Sequence, residues 1–170
     1  MKRLLALAFA LALTPPALAH EVTVGDLQII HPHIPQPAAT AKAAGGYMAI
    51  VNNGTEADRL IGIETDIAAK AEVHESKVDA SGVGTMEPVE ALEIPAGGTV
   101  SLERGGYHVM LMGLTGKLTE GEMHKATLVF ERAGRVEIEF MIEPPMAEGM
   151  EEMDHSKMDH SMMDHDGAGD

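Results

Sequence analysis

From Val22 to Ile142 the chain repeats one device, a short apolar or alternating segment closed off by turn residues. The segments are VTVGDLQII, GGYMAIVNN, RLIGIETD, AEVHES, GTVSLE, YHVMLM, KATLVFE and RVEIEFMI, and Asn53-Gly54, Gly97-Gly98 and Ala133-Gly134 stand between them. Side chains alternate across a strand, so such segments each offer one face to a core and one to solvent. Few of them carry a helical period. The pattern predicts an all-β chain, an antiparallel β-sandwich of about 120 residues, which suits one domain. The stretch HPHIPQPAATAKAAGG, residues 31–46, has three prolines and no ladder-forming run, and is expected to connect strands over one end of the sandwich.

Both ends of the chain differ from this middle. Residues 1–19 carry a basic start at Lys2 and Arg3, an apolar run from Leu4 to Leu13, and Ala17-Leu18-Ala19. That is the form of a secretory signal peptide, too short and wrongly flanked for a membrane span. Cleavage after Ala19 would export a chain beginning at His20 to the periplasm, with no membrane insertion. Removing Lys2 and Arg3 leaves 10 basic against 27 acidic residues, a formal charge of −17 against −15 for the whole chain. Such a surface repels nucleic acid and anionic lipid and favours cations and basic protein patches. At the other end, residues 146–170 hold no aromatic or β-branched side chain and repeat MDH at 153–155, 158–160 and 163–165. This composition predicts a disordered tail, because it buries too little apolar surface to offset the entropy of ordering. Its candidate metal ligands are Met146, Met150, Met153, His155, Met158, His160, Met162, Met163 and His165.

No cysteine occurs anywhere in the 170 residues. Disulfides, thiolate metal sites, an acylated lipoprotein cysteine and blue-copper electron transfer all go with it. Soft-metal chemistry must therefore come from methionine and histidine. The strand YHVMLM places His108, Met110 and Met112 on one face and Tyr107, Val109 and Leu111 on the other. Upstream, AEVHES supplies His74 and SGVGTMEPVE supplies Met86. Two imidazoles and two thioethers meet if the strand end at 74, the turn near 86 and the strand at 108 lie together. That donor set selects Cu(I), a soft d¹⁰ ion that accepts a distorted tetrahedron. Met112 reads as a wall beside the site, and Met48, Met123 and His124 as ordinary packing or surface residues.

The spacing His74, Glu75, ten residues, Met86, twenty-one residues, His108, one residue, Met110 resembles the motif of the PCu(A)C family of periplasmic copper chaperones. The resemblance extends to HP at 31–32, GGY at 45–47, EADRL at 56–60, VHE at 73–75, PVE at 88–90, LEIPAGGTVSL at 92–102 and GGYHVMLMGL at 105–114. Position by position it implies His74, Met86, His108 and Met110 as the Cu(I) ligands. Glu75 stands where the family often has an optional Met, and His33 where relatives usually have Trp. The resemblance further implies a cupredoxin-like Greek-key sandwich over residues 20–145, monomeric. Its copper would go to the copper-site subunit of cytochrome c oxidase, alongside or through a Sco-type assembly protein.

Other readings remain open on the residues. A copper buffer or resistance protein would use the same site and tail without delivery, and the tail argues for it directly. An enzyme would need His20, whose α-amine and imidazole together could bind Cu(II), and a substrate groove, for which only Tyr47 and Tyr107 could provide stacking faces. The chain is therefore expected not to be an enzyme. The tail is expected to accept Cu(II) as well as Cu(I), since its histidines and carboxylates suit the former and its thioethers the latter.

Overall fold

A computed structural model describes residues 20–78 and 84–145; the expected signal segment, residues 79–83 and the Met/His-rich tail lie outside the described residues. Eleven strands and no helix make up the described chain: β1 Glu21–Val24, β2 Leu27–Pro35, β3 Ala43–Asn52, β4 Asp58–Thr65, β5 Ala68–Val78, β6 Gly84–Pro88, β7 Leu92–Ile94, β8 Thr99–Leu102, β9 Tyr107–Leu114, β10 Met123–Phe130 and β11 Gly134–Glu143. The all-β class expected from the alternating segments is what the chain adopts. Along the hydrogen-bonded path the order is β6-β5-β9-β8-β3-β2-β11-β10-β4-β7, with β1 on β2.

This order forces the sheet to curl. Strands β4 and β5 lie near opposite ends of the path, yet only residues 66 and 67 separate them. Two residues span too little distance to cross a flat sheet of this width, so its ends must come together round an interior. The interior is apolar by alternation. In β11 Val136, Ile138, Phe140 and Ile142 are buried, while Arg135, Glu137 and Glu139 are exposed. Ile29, Ile34, Ile50, Leu111 and Leu128 join them, each with no exposed surface. Every such side chain contributes roughly 1.5–3 kcal/mol through burial. At the β10–β11 turn Gly134 takes φ +76°, a left-handed value that a side chain would disfavour.

Two features differ from the sequence reading. The sheet is mixed, because β11 runs parallel to β2 and β8 parallel to β9. And the proline-rich stretch 31–46 is mostly strand: β2 continues to Pro35 and β3 starts at Ala43, leaving only residues 36–42 as connection. The prolines are tolerated because the β2–β3 register shifts between Ile30 and His33, so Pro32 sits where the ladder asks for no N–H. That irregularity resets the alternation. Leu27 and Ile29 point inward before it and Pro32 and Ile34 after it, while Ile30, His31 and His33 all remain on the partly exposed side. His31 pays for the reset with φ +54°, uncommon for a residue with a Cβ.

Three polar side chains are buried among the described residues: Asn52, Asp58 and His108. Asn52 donates from Nδ2 to the carbonyls of Glu56 (2.9 Å) and Ile94 (3.2 Å) and accepts from the Gly54 N–H (2.9 Å). Asp58 accepts from the N–H of Arg59 (2.7 Å) and Arg132 (2.9 Å) on Oδ1, and of Ala133 (2.9 Å) on Oδ2. One carboxylate thereby ties the start of β4 to the β10–β11 turn.

Candidate metal centre

Registry alone brings the histidine and methionine positions together. In the antiparallel pair β5–β9, His74 lies directly opposite His108 and Glu72 opposite Met110. In the hairpin β5–β6, Pro88 lies opposite His74 and Met86 opposite Ser76. Opposed residues share a face, and so do residues two apart on one strand. His74, Met86, His108 and Met110 therefore occupy one face of three adjacent strands, turned away from the core that Val73, Val109 and Leu111 fill. Met86 is placed on strand β6 rather than in a turn. Pairing with β5 gives it the alternation that a turn would lack.

The imidazoles are held by their neighbours. Their ring centroids are 6.2 Å apart and the planes tilted by 50°. His108 is buried, and its Nδ1 donates to the Gly106 carbonyl at 3.2 Å, which leaves the Nε2 lone pair free for a metal. The same carbonyl accepts from the Ser76 N–H at 3.0 Å, fixing the β8–β9 turn against β5. His74 Nε2 makes a long contact of 3.5 Å with Glu72 Oε2. The Lys70 ammonium, 2.7 Å from the other oxygen, is the main reason the Glu72 carboxyl is held below the usual carboxylate range; burial opposes it and His74 assists. Glu72 was not singled out from the sequence. Period two from His74 was the signal that could have found it.

The thioethers differ in access. Met110 is partly buried, whereas Met86 is 61% exposed, an unusual state for so large an apolar side chain. Met112 continues the face opposite Lys70 and Ala43, away from the two imidazoles. Glu75 projects from the opposite side of β5, opposite Tyr107, and pairs with Lys77 at 3.0 Å. Met48 is a core residue, Met123 pairs in register with Met141, and His124 contacts Glu122 at 3.3 Å. His20 lies beside β2, its carbonyl accepting from the His31 N–H at 2.7 Å. A concavity of about 720 Å³ lies elsewhere, lined by His20, Glu64, Asp66, Lys125, Glu137 and Glu139 among others. An ion held by side chains on a sheet face needs no deep pocket, so the two need not coincide.

Two imidazoles and two neutral thioethers on one face of a sheet are donors of the kind that suit a soft metal ion. The family described as LpqE-like matches residues 27–142, and the chain belongs to it, with the fold of the PCu(A)C domains. Over 74% of its length the chain is similar to the copper-bound PCuAC domain from PmoF2, with 32% identity, a TM-score of 0.64 and 99% of that chain covered. A Cu(I)-bound solution structure of DR1885 from Deinococcus radiodurans is 27% identical, with a TM-score of 0.56, covering 75% of this chain and 83% of that one. A curated relative, "Putative lipoprotein Lxx21020" of Leifsonia xyli subsp. xyli, is 36% identical over 98 residues. That match takes in 54% of this chain and 58% of that protein, so the chain spans little more than half the length of its curated relative.

Proposed function

We propose that the protein is an exported copper carrier that binds Cu(I) through His74, Met86, His108 and Met110 and hands it to an acceptor. The observation that carries this reading is the shared face: in-register pairing puts both imidazoles opposite one another with a thioether on either side. The donor set fits Cu(I) and fits harder ions poorly, and none of its thioethers needs deprotonation or can be lost to a disulfide. The copper-bound relatives support the same metal. The recipient we favour is the copper-site subunit of cytochrome c oxidase or a Sco-type assembly protein. Export to the periplasm rests on residues 1–19 and on the lipoprotein relatives; no cysteine is present in this sequence to accept a lipid. No helix among the described residues is long and apolar enough to cross a membrane.

Transfer is the test that separates carrier from buffer. A neutral imidazole–thioether set holds Cu(I) less strongly than paired thiolates, which add charge attraction and stronger soft donation. Mixing Cu(I)-loaded protein with an apo, reduced, dithiolate acceptor should move copper to the acceptor, more slowly at high salt because the acidic surface steers encounter with a basic patch. Copper that stays put while the acceptor takes it up from solution would replace the carrier reading with a buffer.

Residues 146–170 add a second expected outcome. A tethered tail that collects copper presents it to the folded site at an effective concentration in the mM range, if the tether spans the distance. Ending the chain at residue 145 should lower the number of copper ions bound and slow loading, with little change in the Cu(I) affinity of the folded site. Equal stoichiometry for Cu(I) and Cu(II) with and without the tail would reduce it to an acidic solvating extension.

A further inference from the structure

The reset of alternation in β2 leaves a second cluster on the same sheet face, separate from the first. His31 and His33 stand two residues apart with ring centroids 4.5 Å from each other. Parallel pairing with β11 sets Met141 beside His33 and Glu143 beside Pro35, and the Glu143 carboxylate reaches both rings: 2.9 Å from Oε1 to His31 Nε2 and 3.9 Å from Oε2 to His33 Nε2. His33 Nδ1 donates to the His31 carbonyl at 2.9 Å, so its Nε2 lone pair faces the carboxylate. One ligand atom from each of the three residues falls within 4.8 Å of the others. Ligands bonded at about 2.0–2.1 Å stand no more than roughly 4.2 Å apart, so the cluster needs only a small contraction to chelate an ion. All three side chains are partly buried, which limits the rotamer freedom lost on binding.

We infer that His31, His33 and Glu143 form a second metal site, for a divalent ion that prefers nitrogen and oxygen donors, Cu(II) before Zn(II). Two imidazoles and one carboxylate match such ions, and among first-row divalent ions Cu(II) binds nitrogen and oxygen donors most tightly. With a carboxylate where the first site has thioethers, this set favours Cu(II) over Cu(I), so the two sites sort copper by valence. The two clusters also lie within reach of one side chain. His33 is in register with Tyr47, with ring centroids 5.6 Å apart. The Tyr47 ring lies back over Gly45, where a Cβ would come within 2.7 Å of its hydroxyl oxygen, and Gly45 is in register with Met110. A single tyrosine ring thus bridges the ground between the two clusters.

Tyr47 also supplies a readout that a metal-binding tail does not mimic. Cu(II) is paramagnetic and broadens NMR signals of nuclei close to it, so the full chain can be titrated with Cu(II) alone. The expected result is selective loss, within the first equivalents, of the amide signals of His31, His33, Tyr47, Met141 and Glu143, competed away by excess Zn(II). In His33→Gln and in Glu143→Gln these signals should survive at the same Cu(II) concentration, with the apparent affinity at the cluster falling at least about tenfold. If the same amides stay sharp in the wild-type chain while signals of the tail or of His74 and His108 vanish, the cluster is a histidine–glutamate ion pair and no metal site. Broadening that is unchanged in both variants would overturn the assignment equally.

Discussion

Replacing His108 with alanine, in a chain ending at residue 145, should weaken Cu(I) binding by more than about 100-fold while leaving the sheet folded. Outer partners of metal ligands already carry 10–100-fold effects, and a direct donor carries more. Met110→Ala should act in the same direction on the same strand. The fold should survive because both side chains project from the face opposite Val109 and Leu111, which carry the core packing of β9. A competition titration against a Cu(I) chelator, with circular dichroism as the control, reads both quantities. Near wild-type affinity in either variant would remove the site from this face. Acidification should release Cu(I) as well, since protonated imidazole cannot ligate and thioethers do not titrate. The double variant Met86→Ala/Met110→Ala should lose affinity at neutral pH and release its ion at a higher pH than the native site, because protons displace a more weakly held metal from the imidazoles more easily.

The largest expected effect on stability lies away from the metal, at Asp58. Asp58 is 6% exposed, and its carboxylate accepts three backbone N–H groups, one from its neighbour Arg59 and two from the β10–β11 turn at Arg132 and Ala133. Alanine would remove the acceptor from three part-buried N–H groups at once, at about 3–5 kcal/mol. For a domain of this size that corresponds to a fall in Tm of roughly 10–20 °C. Asp58→Asn retains one good acceptor and should fall between alanine and the native residue. A thermal shift of less than a few degrees for Asp58→Ala would mean that the β10–β11 turn does not depend on this tie. Copper affinity should be largely unchanged wherever the variant is folded, because the Asp58 carboxylate bonds to Arg59, Arg132 and Ala133, none of them on β5, β6 or β9.

How far the sequence could be read depended on whether a feature was local. Alternation in RVEIEFMI and KATLVFE specifies a strand and its buried face without reference to anything else, and β10 and β11 follow it residue by residue. The spacing of His74, Met86, His108 and Met110 is legible because it matches a family motif, and pairing of β5 with β6 and β9 puts all four on one sheet face. Residues 31–46 misled because three prolines and the lack of a ladder-forming run read as a connection. A register shift accommodates Pro32, and a side chain would meet the Tyr47 hydroxyl at Gly45 and press tightly on Phe140 and Val109 at Gly46. Glu143 beside His31 was illegible for a different reason. It needs a parallel pairing between strands more than a hundred residues apart, and parallel neighbours leave no turn to announce them.

The placement of Met86 at the sheet's margin bears on how fast the metal can leave. On the proposed ligand set, three donors sit on β5 and β9, each held by a ladder on both sides, while the fourth rides on β6, the last strand of the path. Every residue of β6 is exposed. The thioether on that strand is then the weakest-held arm and the first that an incoming thiolate can replace, one bond at a time, without the other three letting go. Exchange by such stepwise substitution decouples lifetime from affinity: a complex can be tight at equilibrium and still surrender its ion within an encounter.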